Sequence, residues 1–388
     1  MIVKEWKGKY IKDVTEYLLS CSAETIREKE NQLPVGELQP LTPQMARMQI
    51  GEQQVRAFTA KLLNIVRNAH WDDIHSLKRL SDNTIISGSK DNTISKWSVD
   101  GRLIKVVQDV EPFGVDPKDW ITALCQINDQ YWVSGERNGH VYLWNTAGDF
   151  IKELPLKRPI NGQHVSLPEN SRRVNCLAAG TDKQNATFFA GFPTIFDEYS
   201  LIEGRTVRTN FVHKNDWVFC IQPLDSKRIL TATGATLEMW DRGDKQWQRG
   251  SVLEREVKTK NGKQRPFISS LTPLKESSNQ FAMSVFGGSV KLADIHEGKI
   301  VKEWNEHSKR VWAVESIARD LFASSAEDET IKFWDVREKN SLHTIKSEFG
   351  QTHTLLSLGD HSLVAGHHLD HPKNKNEGAT LAFYDIRR

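Results

Sequence analysis

Ser324–Asp335 reads SSAEDETIKFWD, and this stretch decides the fold. A run of small residues is joined through a short acidic turn to a β-branched and aromatic run that ends in the pair Trp334-Asp335. Runs of this kind on either side of a turn predict two antiparallel β-strands. Weaker copies of the pattern end at Trp97, Trp144 and Asp241, so we interpret the stretch as one unit of an internal repeat.

A second signature indicates how many units there are. An apolar residue, any residue, a small residue and another apolar residue follow one another seven times, and successive copies begin 43 to 53 residues apart. About four short strands in such an interval is the spacing of a β-propeller blade. We therefore predict an all-β, seven-bladed β-propeller over residues 70–388, with the small residue in the innermost strand, where seven strands converge. The copies are Ile74-x-Ser76-Leu77, Ile121-x-Ala123-Leu124, Val174-x-Cys176-Leu177, Val218-x-Cys220-Ile221, Ile268-x-Ser270-Leu271, Val311-x-Ala313-Val314 and Leu355-x-Ser357-Leu358.

This pattern resembles the WD-repeat β-propeller family, most closely in the first and sixth units. In that family a His, a Ser or Thr, an Asp and the terminal Trp form a buried hydrogen-bonded network that holds a blade together. The resemblance implies that the network residues are His70, Ser87, Asp91 and Trp97 in the first unit, and His307, Ser324, Asp328 and Trp334 in the sixth. The second unit lacks the His and the fourth lacks the Asp, which predicts less firmly held blades. By the same resemblance Asp241, Asp335 and Asp385 are blade residues and not catalytic acids.

The N-terminal region contains two segments outside the repeat. Residues 2–6, IVKEW, recur letter for letter as Ile300–Trp304, at a fourth-strand position. Because the last unit stops just after Asp385, we predict that residues 1–9 supply the closing outer strand of the last blade. Residues 10–69 are predicted to form a helical hairpin insert whose second helix has Val55, Phe58, Leu62 and Ile65 on one face. Either the insert covers or extends the binding face, or it is a structural plug on one blade.

Further long interruptions fall at residues 106–119, 152–172, 255–265 and 367–378. They join fourth strands to first strands, or a second strand to a third. In the WD-repeat family these two kinds of connection lie on the same face of the ring, which we call the top face. Loops that grow on one side of a rigid scaffold usually carry its binding function. We therefore expect a partner to bind on the top face.

Two kinds of side chain are candidates for that binding. Arginines at strand starts and turns could form a basic rim that contacts carboxylate or phosphate, and two tryptophans could be hot spots. The alternatives are solvated loops for the charged residues, and packing beneath neighbouring loops for the tryptophans. The candidate partner-binding residues are Arg137, Arg172, Arg173, Arg265, Arg310, Trp120 and Trp217.

Enzymatic and metal-dependent functions have little support in the sequence. His367, His368, Asp370 and His371 are ligand-type residues, but no regular spacing brings them together, so we predict a polar loop and no metal. There is no HExxH, no phosphate-binding glycine loop and no nucleophile elbow, so we expect no cofactor and no catalytic residue. The four cysteines are scattered without CxxC spacing, which argues against disulfides and zinc.

The leading prediction is a non-enzymatic scaffold or adaptor that binds an acidic or phosphorylated protein or peptide on the top face. The alternative is a binder of nucleic acid or anionic lipid through basic top-face loops, although a net charge of +2 does not favour it. The N-terminus MIVKEWKGK has no apolar core of a signal peptide, so a cytoplasmic protein is expected, with the nucleus as a second location. A monomer or a subunit of a larger complex is expected.

Overall fold

Seven four-stranded antiparallel sheets contain most of the residues that the structure describes. The computed structural model describes residues 58–108, 119–155, 159–160, 163–164, 173–182, 186–212, 217–234, 236–254, 267–277, 279–359, 361–368 and 377–387. These residues belong to one compact unit, Ala57–Arg388. They contain β-strands, turns and bends but no α-helix.

The strands follow one another along the chain as seven blades. The first strand is β1 (Thr59–His70). Blade 1 contains β2 (Ile74–Arg79), β3 (Thr84–Ser89), β4 (Ile94–Ser98) and β5 (Leu103–Gln108). Blade 2 contains β6 (Ile121–Gln126), β7 (Tyr131–Glu136), β8 (Val141–Asn145) and β9 (Phe150–Glu153). A small hairpin of β10 (Pro159–Ile160) and β11 (Gln163–His164) follows. Blade 3 contains β12 (Cys176–Ala179), β13 (Thr187–Phe192), β14 (Ile195–Ser200) and β15 (Arg205–Phe211).

The remaining blades repeat this order. Blade 4 contains β16 (Val218–Pro223), β17 (Arg228–Thr233), β18 (Thr236–Arg242) and β19 (Trp247–Glu254). Blade 5 contains β20 (Ile268–Pro273), β21 (Gln280–Val285), β22 (Val290–Asp294) and β23 (Lys299–Trp304). Blade 6 contains β24 (Val311–Ala318), β25 (Leu321–Ala326), β26 (Thr330–Asp335) and β27 (His343–Lys346). Blade 7 contains β28 (Gln351–Gly359), β29 (Ser362–His368), β30 (Ala379–Arg387) and, as its outer strand, β1.

The blades close into a ring. The innermost strands β2, β6, β12, β16, β20, β24 and β28 contact one another in that order, and β28 contacts β2 again. Buried apolar side chains form seven clusters, each between two neighbouring blades. The predicted seven-bladed propeller is therefore confirmed. Its three described cysteines, Cys125, Cys176 and Cys220, are free thiols.

Neighbouring blades pack closely where a glycine of a second strand meets the start of the innermost strand of the next blade. At Gly88 in β3, an added Cβ would lie 2.4 Å from Cγ2 of Ile121 in the next blade. At Gly135 in β7, it would lie 2.5 Å from Cγ1 of Val174. A side chain at either position would push two blades apart, so glycine is required where neighbouring blades approach each other.

Strand β1 corrects the predicted closure of the ring. It pairs with β30, with Thr59 opposite Arg387 and Leu62 opposite Tyr384, in the outer position that we predicted for residues 1–9. The prediction that the helical insert extends to residue 69 is therefore also wrong. The strand has register shifts between Leu62 and Asn64 and between Val66 and His70, and such bulges disturb the period-two alternation. Residues 1–57, with the rest of the predicted insert, lie outside the described residues.

A bulge near the start of the innermost strand also corrects the seventh signature. In β2 the register shifts between Ile74 and Ser76, and the same shift occurs in β6, β16, β20 and β24. In β28 it lies between Thr352 and Thr354. The seventh copy is thus Thr352-His353-Thr354-Leu355, three residues before the predicted one, because it begins with threonine where the other copies have Val or Ile. We call the residue within each shift the bulge position.

Candidate partner-binding face

The predicted network residues meet in blades 1 and 6. In blade 6, Trp334 Nε1 donates to Ser324 Oγ at 2.7 Å, and His307 Nε2 lies 2.7 Å from the same oxygen. His307 Nδ1 lies 2.9 Å from Asp328 Oδ2. In blade 1 the corresponding distances, from Trp97 and His70 to Ser87 and from His70 to Asp91, are 2.7, 2.6 and 3.1 Å.

These four-residue networks are structural. Ser324 with His307 and Asp328 has the order of groups found in a hydrolase triad, but Ser324 is fully buried and already accepts a hydrogen bond from Trp334. Burial by itself raises the pKa of Asp91, but hydrogen bonds and charge from His70 outweigh it and lower the pKa to about 2. The pKa of Asp328 is lowered for the same reasons. The carboxylates are thus held ionised as acceptors for the imidazoles.

Other blades keep part of this network. Trp144 Nε1 donates to Ser134 Oγ at 2.9 Å in blade 2, and Trp240 Nε1 donates to Thr231 Oγ1 at 2.8 Å in blade 4. Blade 7 has a different arrangement around His367, which lies in β29 and is fully buried. Burial lowers the pKa of His367 to about 3.

His367 therefore has a structural role, which differs from the loop position that we predicted for it. Its Nδ1 lies 2.9 Å from Thr352 Oγ1 and 3.0 Å from Ser347 Oγ. His368 is also in β29, and its Nδ1 contacts Asp73 Oδ1. The other two residues of the predicted polar loop, Asp370 and His371, lie outside the described residues.

Asp72, Asp73 and His368 are the one described group of side chains with metal-ligand chemistry. Their ligand atoms lie within 4.8 Å of one another. Lys90 Nζ, however, lies 3.2 Å from Asp72 Oδ1 and 3.8 Å from Asp73 Oδ2. Because Lys90 pairs with both carboxylates and His368 contacts Asp73, we interpret the group as an ion-pair cluster.

Aromatic rings on the top face form a chain of contacts across six blades. We call it the aromatic collar. Consecutive ring centroids are 4.0 to 6.0 Å apart, and each ring is partly exposed. In order, the collar consists of Trp217 and Phe219 of blade 4, Phe267 and Phe286 of blade 5, Trp312 of blade 6, His353 of blade 7, His75 of blade 1 and Trp120 of blade 2.

Half of the collar residues occupy the same position of the repeat. His75, Phe219, Trp312 and His353 occupy the bulge position of their innermost strands. A bulge changes the direction of a side chain, so one position repeated around the ring brings residues from distant parts of the chain together. Of the collar, sequence reasoning identified only Trp120 and Trp217. The variable position of the signature was the missed signal, because it holds His, Phe and Trp in three of the copies.

The predicted basic rim is present in part, and two of its three described members, Arg137 and Arg310, are paired with carboxylates. Arg137 Nε lies 3.4 Å from Asp119 Oδ2, and its guanidinium lies over the Trp120 ring at 4.4 Å. Arg310 Nη1 lies 3.6 Å from Glu327 Oε1, and its guanidinium lies over the Phe286 ring at 4.0 Å. The charges of Arg137 and Arg310 are therefore balanced locally, which weakens the nucleic-acid and lipid alternative as far as these two residues are concerned.

The remaining predicted residues have different surroundings. Trp217 is 39% exposed at the end of the collar, whereas Trp120 is stacked on His75 and covered by Arg137 and Lys90. Arg173 is partly buried, and burial together with the charge of Arg137 lowers its pKa. Arg172 and Arg265 lie outside the described residues.

Known proteins share the repeat and the architecture. The family profile "WD domain, G-beta repeat" matches residues 61–98 and 298–335. The first match begins in β1, the outer strand of blade 7, which directly precedes blade 1 along the chain. In the part of the chain that the structure describes, no helix has the length and hydrophobicity needed to cross a membrane.

Two relatives differ in how much they share with this chain. Protein SPA1-RELATED 3 from Arabidopsis thaliana is 36% identical over 83 residues, which are 21% of this chain and 10% of that protein. The chain thus aligns with about a tenth of that relative's length. A p21-activated protein kinase-interacting protein 1-like protein from Danio rerio is 25% identical over 301 residues, 75% of this chain and 70% of the relative.

Solved structures agree on the fold. The crystal structure of the RRP9 WD40 repeats has a TM-score of 0.67 at 19% identity, covering 85% of this chain and all of that one. The structure of U3-55K has a TM-score of 0.64 at 18% identity, covering 84% of this chain and 98% of the other. The profile thus identifies WD repeats over residues 61–98 and 298–335, and the solved structures show that the chain has the fold of a WD40 β-propeller.

Proposed function

We propose that this propeller is a non-enzymatic scaffold that binds a protein partner on its top face. The observation that carries the proposal is the aromatic collar, eight partly exposed rings drawn from six of the seven blades. Aromatic residues and arginine are the residue types most enriched in protein interfaces and their hot spots. Arg137 and Arg310, which lie over collar rings, complete such a surface.

Rigidity supports the same proposal. Four collar residues lie in the innermost strands of a closed ring and the other four lie directly beside a strand end. Buried networks such as that around Ser324 hold the blades in register. A partner that binds here orders few additional side chains, so little conformational entropy is lost on binding. The zebrafish relative is named for an interaction with a p21-activated protein kinase, and we propose the same broad class of ligand, a protein.

The location is a second part of the proposal. We place the scaffold in the cytoplasm, because Cys125, Cys176 and Cys220 are free thiols and thiols remain reduced there. Fractionation of cells that express the tagged chain tests this, and recovery mainly with membranes or in the medium would contradict it.

Affinity capture tests the proposed binding face. We compare the wild-type chain with a Trp217→Ala/Arg310→Glu double variant, which changes one exposed collar ring and one collar cation. The matched control is Ile202→Ala, because Ile202 is 67% exposed in the turn between β14 and β15, on the opposite face. Proteins recovered by both the wild type and the control should be lost from the double variant.

Equal recovery by all three proteins would contradict the proposed face. Thermal melts of each variant distinguish lost binding from lost folding. The captured partner is then titrated at 50 and 200 mM salt. A fall in affinity of about a thousandfold or more would favour the alternative of phosphate-backbone binding, whereas a change of about tenfold or less fits a protein interface.

A further inference from the structure

Exposed aliphatic side chains are concentrated on the outer strands of three consecutive blades. In the part of the chain that the structure describes, eleven large hydrophobic side chains are exposed, and six of them lie on β1, β5 and β9, the outer strands of blades 7, 1 and 2. Single exposed hydrophobic residues are normal on a protein surface, whereas a group of them needs an explanation. We call the group the rim patch, and it consists of Leu62, Leu63, Leu103, Ile104, Val106 and Ile151.

The three outer strands of the rim patch adjoin one another. Asn64 of β1 donates from Nδ2 to Asp100 O, in the turn that precedes β5, at 2.7 Å. Lys105 of β5 donates from Nζ to Gly148 O, in the turn that precedes β9, at 2.9 Å. An added Cβ at Gly148 would also lie 2.9 Å from Cγ2 of Val107. The rim patch therefore occupies one continuous stretch of the outer surface, with β5 at its centre.

A repeated bulge accounts for the exposure of these side chains. In β1, β5 and β9, a register shift leaves Leu63, Ile104 and Ile151 without an opposite residue in the third strand. Bulges change the direction of side chains and twist the free edge of a sheet. The same shift in β23 leaves Val301 exposed, but the described residues of the neighbouring outer strands β19 and β27 include no exposed large hydrophobic side chain. The bulge thus belongs to the repeat, whereas the grouping belongs to blades 7, 1 and 2.

The charges beside β5 are compensated within the chain. Arg102 Nη2 lies 2.8 Å from Asp100 Oδ2, and Lys105 Nζ lies 2.7 Å from Asp149 Oδ1. The nearest other lysines of the outer strands, Lys61 and Lys152, lie on the flanking strands β1 and β9. Because neither ion pair has a net charge, the centre of the rim patch can face its own copy without repulsion, and it offers little attraction to a charged ligand.

The exposed area fits a second copy of the chain. Together the six side chains expose about as much surface as three fully exposed aliphatic residues, which is roughly 350 Å² at about 30 Å² per methylene group. A standard interface buries about 800 Å² per partner, of which roughly 500 Å² is apolar in a homodimer. The aliphatic part of Arg102, whose side chain is 84% exposed, adds to the patch. A two-fold axis supplies the matching apolar surface from an identical chain.

We infer that the chain forms a two-fold symmetric dimer through the rim patch. The contact consists of side chains that pack against those of the second copy, because the bulges in β1, β5 and β9 interrupt the straight row of backbone groups that edge-to-edge strand pairing requires. The inference goes beyond the proposed function and does not depend on it. Half of the collar residues lie in the innermost strands and the rim patch lies in the outermost ones, so the dimer leaves both collars accessible.

Sedimentation velocity of the full chain tests the dimer. We expect the average mass of the wild type to rise from one chain towards two between about 1 and 100 μM, since a patch smaller than a standard interface fits weak association. Ile104→Glu and Leu63→Glu should each weaken the dimer by about tenfold or more, because an unpaired charge is costly to bury. The matched control is Val301→Glu, which changes an exposed residue at the same kind of bulge outside the rim patch and should dimerise like the wild type.

Several results would overturn the inference. One is a wild type that stays monomeric up to about 100 μM. Another is a mass that keeps rising beyond two chains, since a two-fold contact closes on itself. Dimers of Ile104→Glu and Leu63→Glu as strong as those of the wild type would place the contact elsewhere. Circular dichroism melts show which variants are folded, and two variants on neighbouring blades keep the test valid if one of them fails to fold.

The dependence on salt tests the chemistry of the contact. An apolar contact should be at least as strong at about 500 mM salt as at about 50 mM, whereas contacts between exposed charges weaken. Association that falls about tenfold at the higher concentration would therefore contradict the rim patch as the contact.

A different occupant of the rim patch would give another result. A wild type that stays monomeric but captures another protein, which Ile104→Glu loses and Val301→Glu retains, would assign the patch to that protein and overturn the dimer. None of these outcomes depends on the collar variants Trp217→Ala/Arg310→Glu. Failure of this inference and failure of the proposed function are therefore distinguishable.

Discussion

Replacing Ser324 by alanine tests how the buried network stabilises a blade. Ser324 Oγ contacts two polar groups, His307 Nε2 and Trp334 Nε1, each at 2.7 Å, and the side chain is fully buried. Ser134 in blade 2 is the matched control, since it is also fully buried but contacts only Trp144 Nε1, at 2.9 Å. Both substitutions remove the same hydroxyl and differ in the number of groups left without a partner.

The expected magnitudes follow from that number. A buried donor or acceptor that loses its partner costs about 1–3 kcal/mol of stability. Ser324→Ala leaves two such groups and should lower the free energy of unfolding by about 2–4 kcal/mol, because the two losses share one site and add incompletely. Ser134→Ala leaves one group and should lower it by about 1–2 kcal/mol. The difference in unfolding free energy between the two variants measures what the contact between His307 and Ser324 contributes to stability.

Urea denaturation of the full chain provides the measurement. Circular dichroism and tryptophan fluorescence must report the same transition, since a propeller of seven blades need not unfold in two states. Midpoints are compared only between variants with equal slopes. If Ser134→Ala destabilises the chain as much as Ser324→Ala, the contact between His307 and Ser324 adds nothing, and the reasoning about the four-residue network fails.

Three further predictions use other features of the ring. His367 is buried with a pKa of about 3, so its site takes up a proton in the unfolded chain first as the pH falls below about 6.5. Its contribution to stability should drop by about 1.4 kcal/mol between pH 7.5 and 5.5, so His367→Gln should lose about that much less stability than the wild type over this range in urea melts. Gly88→Ala would place a methyl group 2.4 Å from the next blade and should cost about 1–3 kcal/mol, whereas Gly287→Ala, with no atom within 4 Å, should melt within about 0.5 kcal/mol of the wild type. A chain of residues 57–388 should keep the cooperative melt of the propeller, whereas residues 71–388 lack β1 and should lose it or aggregate through the open edge; equal melts would contradict the role of β1.

The correct predictions concern contacts within one repeat unit, whereas the wrong ones concern contacts between residues that are far apart along the chain. His307, Ser324, Asp328 and Trp334 are recognisable because the whole network lies within one unit, where spacing along the chain specifies geometry. In the outer strand of blade 7, Thr59 pairs with Arg387, and the local sequence pattern does not predict which strand pairs with β1. The IVKEW copy suggested residues 1–9 instead, and the bulges in β1 removed the alternation that identifies a strand.

The candidate site shows the same division. The sequence identified arginine and tryptophan positions at the ends of strands, but it could not show that Arg137 and Arg310 face Asp119 and Glu327 from the same blades. Nor could it show which variable residues of the repeat meet. The collar residue His75 is part of a surface only because the ring brings it beside Trp120 and His353.

The amino-acid sequence by itself determined the seven units, the strand order within each unit and the residues that hold a blade together. These features can be read from the two-residue alternation along a strand and from the spacing of about 45 residues between units. The tertiary structure alone decided how the ring closes, where the seventh repeat begins and which side chains meet in the aromatic collar. Those features depend on contacts between blades. Such contacts join residues that are far apart along the chain, and their geometry follows from bulges and ring closure more than from local pattern.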